Sequence, residues 1–66
     1  MKMIFVLGKE KRGWYRSNDI ASIRVFDATI EVTGRNGVVD CFNCDNKEIA
    51  QENAKSAAEL WELYEA

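Results

Sequence analysis

The chain has no histidine, no proline, two cysteines, and no uninterrupted apolar run longer than Met3-Ile4-Phe5-Val6-Leu7. Each absence closes a route to chemistry. Without an imidazole base, no serine, threonine or lysine here has the partner that nucleophilic catalysis draws on. A structural zinc site takes four Cys or His ligands, and this chain offers two. No glycine-rich phosphate loop is present, and 66 residues leave little room for a closed pocket. The apolar run is cut off by Gly8 and Lys9-Glu10-Lys11-Arg12, so it fits neither a signal peptide nor a membrane span. These features lead us to expect a protein with no enzymatic activity, no cofactor and no membrane partner, in the cytoplasm with free thiols.

The cysteines sit in Asp40-Cys41-Phe42-Asn43-Cys44-Asp45, a Cys-x-x-Cys. A redox dithiol of this spacing normally occupies the mouth of a helix within a larger fold. Cys44 directly precedes a helix start, where the macrodipole favours a thiolate. Asp40 and Asp45 oppose it, because they disfavour another negative charge nearby. Cys41 and Cys44 are the candidates for thiol or metal chemistry, including a zinc shared between two copies. The structural alternative makes Cys41 a small core residue and Cys44 a loop residue.

At 66 residues the chain is one domain near the lower size limit, where about 60% of the unfolded surface is buried. One short-loop disulfide would add little, so dimerisation is the expected supplement. The net charge of -2 hides an asymmetry: residues 1–35 carry seven Lys/Arg against four Asp/Glu, and residues 36–66 two against seven. The halves therefore stand at +3 and -5, which can attract a charged partner, join the two halves of the fold, or bring two copies into register.

Alternation and turn chemistry predict an α+β fold. It is an antiparallel β-meander of four to five strands over about residues 3–43, with one helix over about 46–64 packed on one face. Thr29-Ile30-Glu31-Val32-Thr33 and Val38-Val39-Asp40-Cys41-Phe42 flank Gly34-Arg35-Asn36-Gly37, and Asn-Gly suits a type I′ turn. With either Asn36-Gly37 or Arg35-Asn36 at the turn centre, Val39 and Cys41 share the core face with Ile30 and Val32. Phe42 then points to solvent with Asp40. Upstream, Ala21, Ile23 and Val25 oppose Ser22, Arg24 and Phe26, and Asp27-Ala28 makes a tight connection. Gly13–Ser17 reads as a strand and Ser17-Asn18-Asp19 as a turn. Met3–Leu7 is apolar on both faces, as expected of a central strand or one covered by the helix or a second subunit.

Asp45 with Glu48 three residues on has the form of a capping box. At 100° per residue Ile49, Ala50, Ala54, Ala57, Leu60, Trp61 and Tyr64 form the core face. Leu60, Trp61 and Tyr64 are expected to fill the wider end of the gap, with Trp61 largely buried. Asn53 lies inside the apolar stripe and so requires a partner, either a backbone group on a sheet edge or its equivalent in a second copy. The glutamates on the far face could dock on a basic protein or simply solubilise the chain.

Two surfaces are candidates for function. One is the open sheet face with Arg24, Phe26 and Phe42, together with the neighbouring segment Trp14, Tyr15 and Arg16, which reads as a patch for a protein partner or a second copy. The other is Lys9–Arg16, where Trp14, Tyr15 and Arg16 interleave base-stacking rings with cations and suit a nucleic-acid binder. The acidic pI of about 5.0 does not favour the latter. In spacing around Asp19-Ile20, Ile23, Ile30, Val32 and Asn36-Gly37, the chain resembles small bacterial modules such as the flagellar FlbD-like proteins. These positions encode a hairpin meander, so the resemblance implies a fold and no site. The expected function is a small interaction or regulatory module that self-associates.

Overall fold

The computed structural model describes the backbone of residues 3–65 and the side chains of residues 3–60. The fold is α+β. Strands β1 (Met3–Leu7) and β2 (Arg12–Arg16) form a two-stranded antiparallel sheet, and β3 (Ile20–Phe26), β4 (Thr29–Gly34) and β5 (Val39–Asn43) form a second, three-stranded one. A 3-10 turn at Ser17–Asp19 joins the sheets, and the C-terminal helix α1 (Lys47–Glu65) packs against β1, β3 and β4. The strands follow the expected meander order, split into two layers rather than laid out in one sheet.

The core lies between these layers. Ile4, Val6, Ile20, Ile30, Val32, Phe42, Ala50, Ala54 and Ala57 are buried, with Tyr15, Ile23 and Val25 packed at the margin. The small residues on the first half of α1 let the helix approach the sheets closely, as the alanine spacing predicts. Ile49 and Leu60 do not join them: they are 38% and 39% exposed and lie on the flank of the helix. The expected positions of the Trp61 and Tyr64 side chains lie outside the described residues. The N-cap is Asn46 rather than Asp45. Asn46 Oδ1 accepts the backbone N–H of Ile49 at 2.9 Å, while Asp45 pairs with Lys9 at 3.2 Å.

The β4–β5 register differs from the one expected, with large consequences. Ile30 pairs with Phe42 and Glu31 with Cys41. Phe42 is therefore fully buried and Cys41 exposed, the reverse of the sequence expectation. The cause is one residue in the loop. Gly34 N–H donates to the Val38 carbonyl at 2.8 Å, and Gly37 N–H donates to the Gly34 carbonyl at 3.0 Å. Three residues thus span the turn, ending on Gly37 at φ 87°. A three-residue loop with a left-handed glycine shifts the pairing by one relative to a type I′ turn, and a shift of one exchanges the faces. Asn36 stabilises this loop by accepting the Val38 N–H on Oδ1 at 3.1 Å.

A second irregularity lies in β3. Ile20 pairs with Gly34 but Ser22 pairs with Thr33, so Ala21 is an extra, unpaired residue. The bulge turns Ile20 into the core and leaves Ala21 exposed, whereas strict alternation assigns Ala21 inward. Ile23 and Val25 keep the inward positions expected of them.

Phe42 holds the layers together. Tyr15 meets its ring edge-on, with centroids 6.2 Å apart, and Lys11 Nζ lies 4.9 Å from the ring centroid. Gly13 on the inner side of β2 leaves room for the ring, since a Cβ there would stand 3.0 Å from Phe42 Cζ. Tyr15 Oη donates to Asp40 Oδ2 at 2.6 Å, and Lys11 Nζ sits 3.7 Å from Asp40 Oδ1. Asn53, as required of an amide in the apolar stripe, donates from Nδ2 to the Leu7 carbonyl at 2.9 Å, the sheet-edge solution.

Candidate functional site

Alternation along β1 sends Ile4 and Val6 into the core and Met3, Phe5 and Leu7 to the other side. The pairing sets Arg16 opposite Met3, Trp14 opposite Phe5, and Arg12 opposite Leu7. The outer face of the hairpin is consequently an apolar patch, with Met3 48%, Leu7 45% and Trp14 63% exposed. Trp14 lies against Phe5 with ring centroids 4.7 Å apart, which leaves Phe5 half-buried and one indole face open. This explains why the β1 run is apolar on both faces. Among the described residues, neither the helix nor another strand covers its outer side. Large residues clustered on one exposed face mark an interaction surface in a way that scattered ones do not.

The charges around the patch divide into two kinds. Lys9 and Lys11 are engaged by Asp45 and Asp40. Arg12 and Arg16 are exposed and have no ion-pair partner among the described residues. They border the patch and are free to meet carboxylates.

The residues singled out from sequence do not form one site. Trp14 and Arg16 lie on the hairpin's outer face. Tyr15 points inward, and burial, with the hydrogen bond to Asp40 and its charge, raises its pKa above the ordinary tyrosine value. It stays a neutral donor at ordinary pH and links the two sheets. Arg24 and Phe26 are exposed on the outer side of the three-stranded sheet, and Phe42, expected beside them, is in the core. Met3, Phe5 and Leu7 were not among the sequence candidates, whereas Arg12 lay within the Lys9–Arg16 segment. The signal for the three was the two-faced apolar run, which periodicity alone assigns to no particular face.

Cys41 is exposed and Cys44 buried, so adjacent-face alternation points the two thiols to opposite sides of the chain. Both are free, and no group of three or more Cys, Asp or Glu able to hold a metal occurs among the described residues. Cys44 Sγ lies 3.8 Å from the Leu7 carbonyl, a weak contact of the core with the end of β1. Among the described residues no helix is long and apolar enough to cross a membrane.

An antiparallel two-layer α+β fold carrying an apolar, arginine-bordered hairpin face is the class these features define. Comparison with protein-family models, curated proteins and solved structures finds no match to this chain.

Proposed function

We propose that this protein is a non-enzymatic protein-interaction module that binds through the outer face of the β1–β2 hairpin. Its compartment in this reading is the cytoplasm, which its unpaired thiols suit. The observation that carries the proposal is the shared exposure of Met3, Leu7 and Trp14 on one strand pair. Each is about half exposed, so covering them returns on the order of 1 kcal/mol apiece. That is less than the roughly 4–15 kcal/mol lost in association. The guanidiniums of Arg12 and Arg16 must therefore contribute, and the fitting partner is a protein surface with apolar side chains and carboxylates at the positions facing them.

Nucleic-acid binding through Lys9–Arg16 is the second reading, supported by the exposed indole and the same two arginines. It is the weaker one. Lys9 and Lys11 are already engaged by carboxylates, one face of Trp14 is taken by Phe5, and Met3 and Leu7 match neither a phosphate nor a base.

The test is retention on the immobilised chain of proteins from a lysate of cells producing it, its own copies included. The parent should retain a protein that a Leu7→Ser, Trp14→Ser double variant does not. Equal retention by both would remove the hairpin face from consideration. Binding of random oligonucleotides that weakens steeply as salt rises, with no retained protein, would replace the reading by the second one.

A further inference from the structure

We infer that the occupant of this face is a second copy of the chain, docked about a two-fold axis through the outer side of β1. The inference rests on the interaction-module reading and names its partner.

The patch does not end at β1. Leu7 lines one surface depression with Ile49 and Asn53 of α1, and the Asn53 hydrogen bond ties this flank of the helix to the end of the strand. At 100° per residue Ile49, Asn53, Ser56 and Leu60 fall in one narrow sector of the helix. Ile49 and Leu60 are the two exposed apolar residues of that sector. Glu52 and Glu59 come next around the helix, exposed and with no ion-pair partner among the described residues. Crossing the surface from β2 through β1 to α1 therefore passes the guanidiniums of Arg12 and Arg16 with Trp14 between them, an apolar stripe of Met3, Leu7 and Ile49, and the carboxylates of Glu52 and Glu59.

A complementary surface must present the reverse order: carboxylates, apolar groups, cations. The same face turned by 180° about β1 presents it. Arg12 and Arg16 of each copy then meet Glu52 and Glu59 of the other, and the apolar stripes cover one another. Because the axis lies between the two charged rims, like charges are kept apart and every contact occurs twice. A purely acidic peptide would neutralise the arginines and leave the glutamates unmatched, so it fits less well. The size also suits: a standard interface takes about 800 Å² from each partner, roughly a sixth of the 4564 Å² surface. Self-association on this face gives physical content to the +3 and -5 halves of the sequence.

Sedimentation of the full chain from the micromolar to the millimolar range tests the inference. The expected result is a concentration-dependent shift to the dimer mass, weakened by added salt. Arg12→Glu with Arg16→Glu, and Glu52→Arg with Glu59→Arg, should each give a monomer, because every interfacial pair becomes like-charged. Mixing the two variants restores opposite charges across both halves of the interface and should give a one-to-one heterodimer, which also shows that each variant is folded. A parent that stays monomeric throughout overturns the inference, as do variants that dimerise alone as the parent does. In the monomeric case, retention of another protein that depends on Leu7 and Trp14 would leave the module reading standing and remove only the second copy. Loss of both would remove the module reading as well.

Discussion

Truncating Phe42 to alanine is the sharpest test of the β4–β5 register, because the two registers assign that ring to opposite sides of the sheet. The side chain is 0% exposed and contacts Tyr15, Lys11 and the backbone at Gly13. Removing a fully buried phenylalanine costs about 3–5 kcal/mol, the sum of lost transfer energy and the cavity left behind. A 66-residue domain has roughly 3–10 kcal/mol in total at the usual 0.05–0.15 kcal/mol per residue. Collapse into the cavity is limited on the β2 side, because Gly13 has no side chain to move in and Tyr15 is held by Asp40. Phe42→Ala should thus leave the chain largely unfolded or lower its urea midpoint by about a third or more, with little change in slope. Urea denaturation followed by far-ultraviolet circular dichroism measures this. A loss below about 1 kcal/mol, the range of surface substitutions, would refute the three-residue loop and return Phe42 to the solvent face.

The same register predicts that in the folded chain Cys41 reacts promptly with a thiol reagent, while Cys44 reacts only as the protein unfolds; equal rates would contradict the assigned faces. Gly13→Ala should destabilise by about 1–3 kcal/mol, since its Cβ would come within 3.0 Å of both Phe42 Cζ and Tyr15 Cε2, and a melting temperature equal to the parent's would show that the layers are less close than described. Tyr15 has a folded-state pKa raised by burial and by Asp40, so its contribution is intact below the unfolded value of about 10 and is lost as pH rises above it toward the folded value. Denaturation across this alkaline range should show a fall in stability that Tyr15→Phe reduces, and an unchanged slope in the variant would assign the fall to other groups.

The secondary structure was legible in the residues themselves. Alternation over Ile20–Phe26 and Thr29–Thr33, the turn residues at Asp27-Ala28 and Asn36-Gly37, and the alanine stripe on α1 are local signals, and each element formed where they lie. Asn53 was also readable, because an amide in an apolar stripe must find a partner and the end of β1 supplies a carbonyl. The faces were harder to read. Asn-Gly fits a two-residue loop and a three-residue loop alike, and only the set of contacts that Phe42 makes with Gly13 and Tyr15, both distant in sequence, selects the longer one. The bulge at Ala21 follows the same logic, since the gain from burying Ile20 outweighs the ladder bond lost, and alternation within the strand carries no trace of it. The candidate site was visible only as a run of five apolar residues, which a central strand explains equally well. What decided its exposure is that β2 and α1 flank β1 while none of the described residues lies over its outer side, a property of how the layers assemble rather than of any segment.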